Sequence, residues 1–197
     1  TLKDLLDKNP ETWEFVKNYS KMKDASPADT IGEVAAGEIP LLLQWDERWG
    51  YSPYGTSIIA VSGCGPTCVS MLVVGLTGDK TVTPSVVADY ATQNHYVDEN
   101  NDTTWAFMTS GVEHWGLTCR ESNGNESEIA KELEAGHPVI CSMRPGDFTD
   151  IGHFIILTSY NNGNVTICDP FSLENSKKSW NYSQISSQIK AVWVYSK

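Results

Sequence analysis

An α+β domain, helical in its first part and built on an antiparallel sheet in its second, is what the residue pattern of the chain predicts. Three observations carry that expectation. Helix start and stop signals crowd the residues before 138, short β-branched runs replace them from Pro138 onward, and the two kinds of element do not alternate as a parallel α/β sheet requires. At 197 residues, 40% of them hydrophobic, the chain is long enough for one well-cored domain plus an extension.

Residues 2–22 read as a solvent-facing helical region able to pack on the domain. Leu2, Leu5 and Leu6, then Trp13, Val16 and Tyr19, recur at helical spacing, and Pro10-Glu11 opens the second part. Residues 24–38, rich in Ala, Asp, Gly and Ser with Pro27, read as a linker, so that 1–38 is an extension and 39–197 the domain proper. Leu41-Leu42-Leu43-Gln44-Trp45 enters that domain, followed by Trp49, Tyr51 and Tyr54 among Gly and Pro. Those aromatics fit either the wall of a peptide groove or the cover of the core.

In the stretch from Ser62 to Met71, Gly63 and Gly65 permit a tight backbone and Pro66 suits a first helical turn, where a missing N–H is no loss. The apolar run from Cys68 to Leu76 continues it as a buried helix. Thr83-Pro84 starts a second helix near Tyr90, and Trp105 to Trp115 reads as a third, closed by Gly116. Asn125 with Glu128 makes a capping-box-like start for a fourth, which Gly136 ends. Strands are expected at Val139 to Met143, Phe154 to Tyr160, Val165 to Cys168 and Ala191 to Tyr195.

The formal charge of −11 is held unevenly, with 5 basic and 15 acidic side chains over residues 41–160. Nucleic acid and anionic membrane surfaces are therefore poor partners, and a neutral or basic peptide is easier to attract. No apolar run approaches the roughly 18 residues that span a bilayer. Five cysteines cannot all pair within the chain, and their spacing matches no common zinc pattern, so mostly reduced thiols and no metal are expected. A first residue other than methionine fits removal of a leader, hence an extracellular or cell-surface setting.

Cys64 carries the chemistry. It is expected at a helix N-terminus, where unpaired amide protons and the helix dipole favour a thiolate, the nucleophile of cysteine hydrolases. Cys68, one helical turn on, belongs inside the helix as core packing. Gly152-His153-Phe154 places a histidine at the head of one β-rich run, and Cys168-Asp169-Pro170 places an acid at the end of the next. A three-residue loop Asn161-Asn162-Gly163 would pair Tyr160 with Asn164 and set Asp169 opposite Ile155, making His153 and Asp169 diagonal neighbours on one face. A two-residue loop would put them on opposite faces. His95, His114 and His137 lack such a setting, Asp147 and Asp150 are rival partners for His153, and Asp46-Glu47 reads as a solvated loop.

The order Gln44, GCGPTC, GHFIIL and DP resembles that of the papain-like cysteine peptidases of the C39-like group, related to the leader-peptide peptidases of bacterial peptide exporters. The resemblance covers about residues 39–197. It implies a papain-like fold, a peptide or protein substrate, no cofactor, and a catalytic set of Cys64, His153 and Asp169. It also makes the Gln44 amide the partner of the Cys64 backbone N–H in an oxyanion hole. In the exporter peptidases the glutamine stands a few residues before the cysteine, whereas here twenty separate them. An acyl transferase using the same triad and a silent peptide-binding or surface module on the same fold are the competing functions.

Overall fold

The computed structural model describes residues 1–197. Helix α1 (Leu2–Lys8) and helix α2 (Trp13–Met22), separated by a short 3-10 turn at Pro10–Thr12, form the extension. A small hairpin, β1 (Pro53–Tyr54) and β2 (Ser57–Ile58), leads into the one-turn α3 (Ile59–Ser62) and the long α4 (Cys64–Thr77), followed by α5 (Pro84–Gln93) and α6 (Trp105–Thr109). The second part contains β3 (Thr118–Ser122), α7 (Glu126–Glu134), β4 (Val139–Met143), β5 (His153–Asn161), β6 (Asn164–Cys168), α8 (Leu173–Lys177), β7 (Ser179–Asn181), α9 (Tyr182–Ser186) and β8 (Ile189–Ser196). Strands 3 to 8 make one antiparallel sheet of six in the order β3-β8-β4-β5-β6-β7. No helix is long and apolar enough to cross a membrane.

The sheet is buried on both faces, and its alternation assigns each side. Ile140, Ile156 and Trp193 point to the larger core, with Val69, Leu72 and Val73 of α4 and Val87 and Ala88 of α5. Val139, Cys141, Ile155 and Leu157 point the other way, to Ile129 and Leu133 of α7 and Ile185 of α9. A central strand covered on both faces reads as an unbroken apolar run, which is why β4 is buried at every position.

Several expectations are corrected. The helix over Trp105 to Trp115 breaks into α6 and a 3-10 turn at Gly111–Trp115. The Phe107 ring lies so close to Gly111 that a Cβ there would stand 2.4 Å from it. Asn125 caps α7 through the Ser127 amide, and Glu128 pairs with Arg120 instead of closing a capping box. In the extension the buried anchors are Leu5 and Phe15, while Trp13 is 54% exposed. Phe15 stacks on Tyr51 at 4.1 Å between ring centroids, and Tyr51, Trp49 and Tyr54 are all buried, so the aromatic loop covers core and does not wall a groove.

The β5–β6 hairpin departs from the expected turn and still reaches the expected alignment. Its loop is the two-residue Asn162-Gly163, both with positive φ, and Asn161 pairs with Asn164. A bulge follows in which Thr158 and Ser159 both oppose Thr166, so Leu157 pairs with Ile167 and Ile156 with Cys168. One residue of slack thus sits in mid-strand instead of in the turn. Continued one step, the register sets Asp169 opposite Ile155, on the face that His153 shares.

Candidate active site

Cys64 is the first residue of α4, a helix whose next ten residues are all buried. Gly65 makes that entry possible, because a Cβ there would lie 2.2 Å from the Thr103 hydroxyl oxygen. The half-buried Cys64 thiol faces the cleft, while Cys68 is fully buried and donates to the Phe154 carbonyl at 3.5 Å. Burial raises the Cys68 thiol well above its ordinary range. It also pushes Cys119 up to about 11 and Cys168 up to about 12, and raises Cys141.

His153 opens β5, where its backbone pairs with Met143 of β4, and its side chain is buried. Its Nε2 lies 2.7 Å from Oδ1 of the fully buried Asp169, and Cys64 lines the same cleft. Burial alone would lower this imidazole; the charge and hydrogen bond of Asp169, with the Cys64 contact, outweigh it and raise it to about 10. For Asp169 burial pushes upward, but the His153 charge and hydrogen bond, with those of Asn175 and Phe171, hold it below the ordinary carboxylate value. The Phe171 amide donates to Oδ1 and Asn175 Nδ2 donates to Oδ2, each at 2.9 Å. At neutral pH the arrangement favours an imidazolium paired with the Asp169 carboxylate.

Gln44 lies 2% exposed in the same cleft, and the twenty-residue gap is closed by two anchors. Its backbone amide donates to the Pro170 carbonyl at 2.7 Å, next to Asp169, and its Nε2 donates to the Ala60 carbonyl at 2.9 Å. The same Nε2 also donates to the Ile59 carbonyl over a longer 3.5 Å, and Oε1 has no partner. Of the two bonds made by this buried amide, the 3.5 Å one to Ile59 is the weaker and the one a competing acceptor in the cleft would displace.

The rivals lie elsewhere or are otherwise engaged. His114 stacks on Tyr90, His137 pairs with Glu132, and His95 is exposed in a positive-φ turn. Asp147 accepts from Gln184 and Gln188, and Asp150 lines the cleft without bonding His153. Asp46 pairs with Arg48, and Glu47 accepts from Asn18 and Tyr51. Cys64, His153 and Gln44 share a cleft of about 770 Å³, walled on one side by the 146–152 loop and on another by α1. Residue patterns left open whether the extension reaches the cleft, since no local motif marks contacts between segments 162 positions apart, and they missed Asn175, only six residues beyond Asp169.

Comparison with known proteins agrees with this architecture. A solved peptidase domain of Streptococcus ComA, a bi-functional ABC transporter involved in a quorum sensing pathway, superposes with a TM-score of 0.51 at 12% identity, over 70% of this chain and 93% of that one. A putative C39-like peptidase from Bacillus anthracis gives 0.46 at 17% identity, over 84% and 98%. No curated protein matches. A sequence profile described as the Peptidase_C39 like family matches residues 37–197, and the chain therefore belongs to that family, with its papain-like α+β fold.

Proposed function

We propose that this protein is a cysteine peptidase that cleaves peptide bonds through Cys64, His153 and Asp169, with a thioacyl-enzyme intermediate. The observation that supports it is the buried His153–Asp169 pair meeting a cysteine at a helix N-terminus on the floor of one cleft. The Cys64 proton resides on His153, and the thiolate attacks the carbonyl carbon. The oxyanion is received by the Cys64 backbone N–H and the Gln44 amide, which gives up its 3.5 Å bond to the Ile59 carbonyl. His153 then protonates the leaving amine and afterwards takes a proton from the water that releases the acyl group, while Asp169 holds the ring and its charge throughout. Asp102, Asp147 and Asp150 against Lys8 in the cleft favour a neutral or basic peptide.

Iodoacetamide labelling followed across pH, with the modified cysteine located by peptide mapping, tests the proposal. Cys64 is expected to label rapidly well below pH 8, at a rate that falls about tenfold or more at pH 6.5 in His153→Ala. The other four thiols stay silent there, since burial raises each of them. An ordinary thiol profile at Cys64 would instead indicate a binding module on the same fold.

Gln44 has a separate signature. Gln44→Ala is expected to cut turnover of a peptide amide by about 10²-fold or more while leaving the Cys64 labelling profile in place, because the oxyanion exists only in the transition state. Equal losses in labelling and turnover would show that Gln44 merely holds the fold.

A further inference from the structure

The groups that touch the Asp169 carboxylate, other than His153, are held in turn by the N-terminal extension. Asn9 Nδ2 donates to the Phe171 carbonyl at 2.6 Å, and the Glu11 carboxylate accepts from the Leu173 and Glu174 amides, one on each oxygen, at 3.0 Å. Phe171 is the residue whose amide meets Asp169, and Leu173 and Glu174 open the helix that presents Asn175 to it. Leu5 and Phe15 bury their side chains in the domain on either side of this contact. Residues 1–36 lie outside the family match, so this support is an addition to the matched region. We propose that Glu11, assisted by Asn9, is a positioning residue that clamps loop 169–175 and so keeps Asp169 against His153, making the extension a working part of the hydrolase and not a cover over its cleft.

The inference rests on the proposed triad and extends it. Loosening the clamp weakens the Asp169 contact and makes His153 less basic; the neutral thiol–imidazole pair then gains over the ion pair. The titratable groups that face His153 are Asp169 and Cys64. The test uses the full chain and iodoacetamide as the probe. Glu11→Ala is expected to slow Cys64 labelling at pH 6.5 by about tenfold and move its midpoint toward the ordinary cysteine value near 8.5. Glu11→Gln, which keeps one acceptor oxygen, should recover part of that loss.

A Glu11→Ala variant that melts earlier but labels with the wild-type pH profile would reduce Glu11 to a purely structural role. Labelling faster than wild type would identify the extension as a cover. Should Glu11→Ala fail to fold, the same readings apply to Glu11→Gln and Asn9→Ala. A wild-type chain without a perturbed profile would overturn the triad itself, a result distinct from a wild-type profile that Glu11 does not affect.

Discussion

Alanine at Cys64 is expected to lower the turnover of a peptide amide by about 10⁴-fold or more, because on the proposed mechanism it removes the one atom that bonds to the substrate carbon. Serine should not rescue it. A hydroxyl is far less acidic than a thiol and keeps its proton beside the imidazole, so the ion pair cannot form. The fold should survive either change: Cys64 is half-buried at a helix end, and the buried face of α4 lies beyond it. Thermal unfolding within a few degrees of wild type, with hydrolysis and iodoacetamide labelling both lost, is the expected combined result. Turnover persisting in Cys64→Ala would assign the nucleophile elsewhere.

Asp169→Asn separates the charge of the acid from its geometry. Oδ1 receives both the His153 ring and the Phe171 amide, so the asparagine oxygen belongs there; its Nδ2 then meets Asn175, which can rotate its amide to present oxygen. The contacts survive and the negative charge does not. Turnover is expected to fall about 10²-fold or more, with a matching loss of Cys64 labelling at pH 6.5.

The same variant changes stability against pH. His153 is raised from 6.5 to about 10, so its share of stability is complete below 6.5 and is lost as pH rises through about 10. Asp169 is lowered from 3.8, so its share is present above 3.8 and is lost as pH falls through the depressed value. Wild-type melting temperature should therefore decline more steeply than that of Asp169→Asn between pH 7 and 10. Parallel curves would mean that the pair is not charged in the folded protein.

Local chemistry made much of the site legible before any coordinates. Gly63, Gly65 and Pro66 announce a helix start that leaves Cys64 at its tip, and β-branched runs bounded by Gly152 and Pro170 announce the strands that carry His153 and Asp169. Thr118–Ser122 escaped because an edge strand half open to water needs no apolar alternation. The Thr158 bulge escaped because Thr-Ser opposite Thr has no distinctive composition, although the chain length between His153 and Asp169 did require one unpaired residue somewhere. The Glu11 clamp escaped for a different reason. Nothing at residue 11 records that amides at 173 and 174 are waiting for an acceptor.

The placement of the three residues also bears on when reactivity arises. His153 and Asp169 are sixteen residues apart and belong to one hairpin closed by a two-residue turn, whereas Cys64 rides on a helix of the other half. Short-range pairing is fast and docking of distant segments is slow, so the base and its acid can meet early while the thiol waits for the halves to assemble. A nascent or partly assembled chain then carries an ordinary, sluggish cysteine. On the proposed mechanism, reactivity is conferred by completion of the fold, which spares the chain from cleaving itself or its neighbours on the way there.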